Sequence, residues 1–280
     1  MTCAQALAAA RAAGLERLDA QLLLLHALGK PAEARAWLLA HDSDALAPEA
    51  ARQFAALSQR RADGEPLAYI VGRKEFFGLD LHVDGRVLVP RPDTETLVDW
   101  ALEVLLAPAM PSVPAIADLG TGSGAIALAL AQQLQAAGRP FTVLAVDAST
   151  DALAVAHSNA ERLALPVQFL ESSWLQAVNS KFHLIASNPP YIANADPHLA
   201  ALMHEPLQAL TAGADGLDDI RQIVAQAPSH LQPGGWLLLE HGYDQAEQVR
   251  ELLIRQGFAQ VQSRQDLAGI ERCSGGQWPG

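Results

Sequence analysis

Two cysteines, Cys3 and Cys273, and three lysines are all that this 280-residue chain contains of either type. Cysteines so far apart offer neither a metal-ligand spacing nor a disulfide framework, which fits a reducing compartment. Basic residues are scarce overall, with Lys plus Arg at 19, Asp plus Glu at 31 and a net charge of −12. That balance excludes a general nucleic-acid binder, which needs cations against phosphates. No apolar run approaches the roughly 18 residues of a membrane span. The opening stretch, MTCAQALAAARAAG, carries Gln5 and Arg11 and lacks the basic-then-apolar order of a signal peptide. A cytoplasmic protein with no membrane association is therefore expected. The nine histidines show no HExxH or paired-carboxylate spacing, so no metal site is expected, and Glu240 and His241 read as structural. Charged residues make up only 18% of the chain and hydrophobic ones 50%, which excludes disorder.

The acidity is uneven. Residues 1–70 carry a net charge of −1 and residues 71–280 carry −11. An acidic second part suits a cationic partner or cofactor, although acidity also serves plain solubility. The first sixty residues read as short helices. Thr2 and Gln5 have capping-box spacing, Leu18, Leu22, Leu25 and Leu28 recur at helical period, and Gly14 and Gly29 can end helices. This region, 1–65, is expected to be a helical bundle that serves as a cap or docking module. Ala62–Pro66 reads as a linker. In 66–114, Phe76–Val83 and Arg86–Pro90 flank Asp84-Gly85, a hairpin signal, and Asp93–Leu106 reads as an amphipathic helix. From Ala115 to the end, strands at 115–119, 141–146, 167–170, 182–186 and 236–239 alternate with helices, and 259–263 and 270–273 form a final hairpin. Such alternation predicts an α/β fold with an open, mostly parallel sheet covered by helices on both faces.

Three motifs carry chemistry. Asp118-Leu119-Gly120-Thr121-Gly122-Ser123-Gly124 ends the first strand of the alternation and opens a helix. Glycines there let the backbone approach a ligand closely, and the helix start offers free N–H groups. Asp147 ends the next strand, 23 residues after Gly124. A carboxylate at that place can accept both hydroxyls of a ribose, in NAD enzymes and S-adenosylmethionine enzymes alike, although an Asp at a strand end is also a common helix cap. Asn188-Pro189-Pro190-Tyr191 follows the fourth strand. Its prolines donate no N–H, so the loop presents two acceptors, the Asn188 side chain and the Pro189 carbonyl. Two acceptors match a substrate –NH2, and Tyr191 adds a flat face for a planar group.

In this order and spacing, DLGTGSG, Asp147 and NPPY resemble the class I S-adenosylmethionine-dependent methyltransferases that act on planar nitrogens. Glu75-Phe76-Phe77-Gly78 and Val87-Leu88-Val89-Pro90-Arg91-Pro92-Asp93-Thr94-Glu95 narrow the resemblance to the peptide chain release factor N5-glutamine methyltransferases. Glu205-Pro206, Asp215-Gly216-Leu217, Leu239-Glu240-His241-Gly242 and, in the N-terminal part, Asp19-Ala20-Gln21-Leu22-Leu23 resemble that family too. The resemblance covers nearly the whole chain. It implies a seven-stranded Rossmann-like methyltransferase sheet over 115–280 beside the small helical bundle.

It also implies roles. Gly120, Thr121, Gly122, Ser123 and Gly124 would line S-adenosylmethionine, Asp147 would hold its ribose, and Trp174 would pack on its adenine. Asn188 would stand between cofactor and substrate. Asn188, Pro189, Pro190 and Tyr191 would bind the glutamine amide, with Asn188, Pro189 and Tyr191 as the catalytic group. Arg91, Thr94 and Glu95 would shape the cofactor lid. The implied reaction methylates the N5 of the glutamine in the Gly-Gly-Gln motif of release factors and yields S-adenosylhomocysteine. Glutamine methylation of a large-subunit ribosomal protein and adenine N6-methylation of DNA stay open as alternatives. A monomer with a protein substrate and no direct nucleic-acid contact is expected. Gly275-Gly276-Gln277 repeats the tripeptide near this chain's own C-terminus, either by chance or as a self-methylation site.

Overall fold

A computed structural model describes residues 1–280, which divide into two compact units, Met1–Arg73 and Lys74–Gly280. The first is all helical: α1 (Cys3–Ala12), α2 (Arg17–Ala27), α3 (Arg35–Ala40), α4 (Pro48–Ala62) and α5 (Leu67–Val71). Thr2 and Gln5 close the expected capping box on α1. The core of this unit takes Leu23, Leu24, Leu25, Leu38 and Phe54. The buried stripe of α2 thus lies beside the one that the Leu18–Leu28 spacing predicts, and Leu18 is exposed. The linker expected at Ala62–Pro66 is only the turn between α4 and α5, inside the first unit.

A small hairpin of β1 (Arg73–Phe76) and β2 (Leu79–His82) follows, and all of it but Arg73 belongs to the second unit. Its turn is Phe77-Gly78, both at positive φ, and not the expected Asp84-Gly85. At Asp84 the chain makes a different turn. The Asp84 carboxylate accepts from the Arg86 backbone and guanidinium, and Arg86–Pro90 pairs with no strand. A single 3-10 turn, Pro92–Thr94, leads into α6 (Glu95–Leu106).

The remainder alternates as read: β3 (Ala115–Leu119), α7 (Ala125–Ala136), β4 (Thr142–Asp147), α8 (Thr150–Leu163), β5 (Gln168–Glu171), β6 (Phe182–Ser187), α9 (Asp218–His230), β7 (Leu231–Glu240), α10 (Ala246–Gln256), β8 (Ala259–Gln265) and β9 (Glu271–Gln277). Seven strands form one sheet in the order β5-β4-β3-β6-β7-β9-β8. The first five run parallel, and β9 is antiparallel to both of its neighbours. The order reverses between β3 and β6, because β4 and β5 extend the sheet one way and β6 and β7 the other. Ligands of open α/β sheets bind at such a switch, outside the carboxyl ends of the strands. No helix is long and apolar enough to cross a membrane.

Two buried side chains shape that edge. Asp118, on β3, is fully buried. One of its oxygens accepts from the Thr121 hydroxyl at 2.6 Å and from the Ala127 N–H at 3.1 Å, and the other has no partner. Burial pushes its carboxyl up to about 7 against the pull of those two bonds. Asn159, on α8, accepts from the His82 N–H at 2.7 Å and donates to the His82 carbonyl at 2.9 Å and the Ser123 carbonyl at 3.0 Å. It ties the β1–β2 hairpin to the glycine-rich turn.

Each generates a prediction. Asn159→Ala leaves buried backbone groups without partners and should cost about 2 kcal/mol in urea unfolding. Asp118 is held with a raised folded value. Its contribution to stability is therefore full below about pH 4, the unfolded value, and is lost as pH rises through about 7. Asp118→Asn keeps the acceptor without the charge. Its unfolding free energy should fall less than the wild type's between pH 5 and pH 8.

Candidate active site

The turn after β3 is knitted to the end of β4. The Gly120 and Thr121 N–H groups both donate to the Val146 carbonyl, at 2.8 and 2.9 Å. The Gly122 N–H donates to Asp147 Oδ2 at 2.9 Å, and the Ser149 N–H donates to Oδ1 at 2.9 Å. Ser149 also caps α8. Burial raises the Asp147 carboxyl, and the backbone donors oppose that rise. Each carboxylate oxygen retains a lone pair for a further donor.

A cavity of about 290 Å³ opens on this edge, lined by Gly120, Gly122, Asp147, Trp174, Asn188 and Pro190 among others. Trp174 adopts φ +52, a conformation that bulky side chains rarely take. Its indole N–H donates to Asp219 Oδ1 on α9 at 3.2 Å. A Cβ added at Gly120, itself at φ +69, would meet the Trp174 ring at 3.4 Å. Gly120 thus lies directly beside a flat aromatic face, in a conformation that favours glycine. Thr121, Ser123 and Gly124 are not among the lining residues. The Thr121 hydroxyl is turned inward to Asp118, the Ser123 carbonyl accepts from Asn159, and Gly124 caps α7. These three build the turn.

A second cavity, of about 320 Å³, is lined by Asn188, Pro189, Tyr191, Leu88, Arg91 and Glu205 among others. Asn188 borders both cavities. Its Nδ2 donates to Thr94 Oγ1 at 3.1 Å, which points the amide nitrogen away and leaves Oδ1 as the free end. The Ser187 hydroxyl donates to the Leu119 carbonyl at 2.7 Å and fastens the start of this loop to β3. Gly216 supports its end: at φ +75, a Cβ there would strike the Tyr191 carbonyl at 2.1 Å. Gln245 Nε2 donates to the same carbonyl at 3.0 Å. On the far wall, the buried Glu205 pairs with Arg91 and accepts from the Val89 N–H at 3.1 Å.

Glu240, the last residue of β7, lies beneath Tyr191. It is 1% exposed, and its Oε1 accepts from the Tyr191 hydroxyl at 3.3 Å, while Oε2 accepts nothing. Burial pushes this carboxyl up to about 7. The Thr94 and Tyr191 hydroxyls and the Arg272 charge oppose the rise, and Asp93 adds to it. Burial, with the Glu240 charge, also raises the Tyr191 phenol. His241 is different. Its ring bonds the Gly242 carbonyl at 2.9 Å and Ser274 Oγ at 2.8 Å, and burial lowers its value, so it is a neutral strut.

Sequence reasoning assigned Glu240 to structure and gave Thr94 no single part. Asp219 and Glu205 also entered the site unannounced. Only tertiary placement could reveal them, because 94, 188 and 240 are far apart in sequence. Gln277 goes the other way. It pairs with Trp236 in the middle of β7, donates to the Gly234 carbonyl and accepts from Gln260. Gly275, Gly276 and Gln277 thus pair with Leu238, Leu237 and Trp236 as part of the sheet and line neither cavity. No group of three or more His, Cys, Asp or Glu is placed to hold a metal ion.

Comparison with known proteins agrees with this architecture. Residues 2–72 match the PrmC N-terminal domain and residues 95–268 the methyltransferase small domain. A release factor glutamine methyltransferase of Burkholderia pseudomallei is 49% identical, over 96% of this chain and 95% of its own. One from Pseudomonas aeruginosa is 50% identical over 94% and 92%. Among solved structures, a methyltransferase from Pyrococcus furiosus covers 81% of this chain and 99% of its own with a TM-score of 0.55 at 21% identity. At that identity the likeness concerns the fold alone. With near half its residues shared along almost its full length, and with both domain models matched, the chain belongs to the release factor glutamine methyltransferase family of enzymes.

Proposed function

We propose that this protein transfers a methyl group from S-adenosylmethionine to the side-chain amide nitrogen of the glutamine in the Gly-Gly-Gln motif of release factors. The observation that carries the reading is the meeting of two cavities at Asn188, with the Asn188 and Pro189 acceptors on one side and a cavity lined by Gly120, Asp147 and Trp174 on the other. The donor and acceptor chemistry of the first cavity suits the cofactor. Asp147 offers carboxylate lone pairs to vicinal hydroxyls, Trp174 offers a ring face, and Gly120 lies beside that ring. The relatives' names support the substrate.

When bound, S-adenosylmethionine supplies a methyl group activated by its sulfonium charge. The chain's own residues prepare the acceptor. An amide nitrogen is a poor nucleophile, because its lone pair is delocalised into the carbonyl. Asn188 Oδ1 and the Pro189 carbonyl accept its two N–H bonds, orient the nitrogen toward the first cavity and oppose that delocalisation. The prolines stiffen the loop, so that little freedom remains to be lost when substrate binds. Tyr191 stacks on the planar amide, and its hydroxyl is tethered to Glu240.

The test is direct. Purified enzyme with labelled cofactor is offered a release factor, a large-subunit ribosomal protein and adenine-rich DNA, and label should reach the release factor glutamine, located by mass spectrometry. Label in DNA or ribosomal protein alone would overturn the reading. Asn188→Ala should lower kcat about 100- to 1,000-fold, the usual cost of losing one such preorganised contact. Full turnover in that variant would remove Asn188 from the amide-gripping role. Asp147→Ala should weaken cofactor binding in calorimetry about tenfold or more, from the loss of charge-assisted bonds to hydroxyls.

A further inference from the structure

Leu88, Asn188 and Ala209 line both cavities. The way from one cavity to the other therefore runs between them, with Asn188 as its polar side and Leu88 and Ala209 as its apolar sides. Asn188 follows β6 directly, and its side chain donates to Thr94. The other two stand on irregular backbone. Leu88 belongs to the stretch Arg86–Pro90, which pairs with no strand. Ala209 ends the second of two 3-10 turns, Pro197–Leu202 and Leu207–Ala209, in the excursion between β6 and α9. That excursion is closed at its base, where Ile192 bridges Thr211, and no strand ladder reaches its tip.

Glu205 joins these two segments. It sits between the 3-10 turns, four residues before Ala209. Its Oε2 accepts from the N–H of Val89, the neighbour of Leu88, at 3.1 Å, and its Oε1 accepts from the Arg91 guanidinium. The Glu205 side chain is 3% exposed, so water hardly competes for either bond. A buried ion pair adds little stability over apolar residues of the same size. What this one supplies is a fixed separation between two walls that have no regular structure to set it.

We propose that Glu205 is a positioning residue for methyl transfer: by clasping Val89 and Arg91 it sets the gap between Leu88 and Ala209, and so the width of the passage that joins the two cavities. The inference rests on the proposed amide methylation and assigns control of its geometry to a residue outside the Asn188–Tyr191 loop. In-line transfer needs donor, methyl carbon and acceptor in a row at close approach, so a small shift of the walls is costly. An apolar collar also suits a methyl group, which offers nothing to hydrogen-bond.

Glu205→Ala and Glu205→Gln test this in the full chain. In Glu205→Ala, kcat on a release factor should fall about 100-fold, the cost of a misplacement near 1 Å. Glu205→Gln keeps an acceptor for the Val89 N–H and loses the ion pair, so its kcat should fall about tenfold, the worth of one hydrogen bond to a charged group. KM for the release factor and the cofactor affinity should each stay within about threefold, the pattern of a contact that matters only in the transition state. Leu88→Ala widens the passage and leaves the clasp alone, and should lower kcat in the same way. Hydrogen exchange reads the clasp with neither substrate nor cofactor present. Amides of 86–91 and 197–210 should exchange about tenfold faster in Glu205→Ala than in the wild type, while those of β3, β4 and β6 keep their rates. Wild-type kcat in Glu205→Ala, a loss confined to KM, or exchange that rises through the whole sheet would each overturn the assignment. Should Glu205→Ala not fold, Glu205→Gln and Leu88→Ala decide. Wild-type enzyme that leaves release factor unlabelled, while exchange in 86–91 and 197–210 still depends on Glu205, would sink the functional reading and leave the clasp standing.

Discussion

The burial of Asp118 is the constraint on which the cofactor side of the molecule depends. A carboxyl with no cation beside it, fully removed from water, is costly unless hydrogen bonds compensate. Here Thr121 and the first turn of α7 provide them, and in doing so they decide where the glycine-rich turn must go. Once Asp118 draws Thr121 inward, the backbone N–H groups of Gly120 and Gly122 point outward at β4, where Val146 and Asp147 accept them. The turn and the acid at the end of the next strand are thus one assembly. The turn passes beside the indole at Gly120, whose φ of +69 is a conformation that side chains rarely adopt.

The substrate side is built from the opposite direction. Thr94 arrives from the segment before α6, Asn188 and Tyr191 from the end of β6, and Glu240 from the end of β7. Parallel neighbours deliver their carboxyl ends to the same edge, so residues 94, 188 and 240 converge although the sequence separates them widely. Backbone donors organise the first cavity, whereas the second relies on side-chain contacts, Asn188 to Thr94 and Tyr191 to Glu240. A backbone cradle has fixed polarity, whereas side-chain amides and hydroxyls can turn.

Much of this was legible in the sequence. The alternation from Ala115 onward fixed helix and strand types to within a few residues, because buried parallel strands are short apolar runs and the helices between them carry caps such as Ser149. DLGTGSG, Asp147 and NPPY are local motifs, and their residues do gather at the switch point. Legibility failed where a decision was tertiary. The hairpin turn fell at Phe77-Gly78, where an aromatic residue accepts positive φ, while the stronger local signal at Asp84-Gly85 was overridden by the Asp84–Arg86 pair. The seam of α2 was misplaced because four leucines in a row satisfy more than one helical phase. Glu240 and Thr94 carried no motif of their own chemistry. Their neighbourhood is visible only once the segment before α6 lies beside the ends of β6 and β7.

The charge of −11 over residues 71–280 also gains meaning from placement. Many of these acids are spent on internal pairs: Asp84 with Arg86, Asp215 with Arg221, Asp266 with Arg272, Glu271 with Arg250 and Glu103 with Arg264. Exposed pairs of this kind contribute little each, so the acidity of the surface says little about ligand choice. Three acids are buried. Glu205 is neutralised by Arg91, while Asp118 and Glu240 have no ion pair. Both are carried up to about 7 by burial, and they flank the site from its two sides. A fold under selection for stability alone would replace such groups by apolar ones of similar size. Asp118 stands beneath the glycine turn, where it holds Thr121 and the first turn of α7, and Glu240 stands beneath the amide loop, where it holds the Tyr191 hydroxyl, so that their worth lies in positioning.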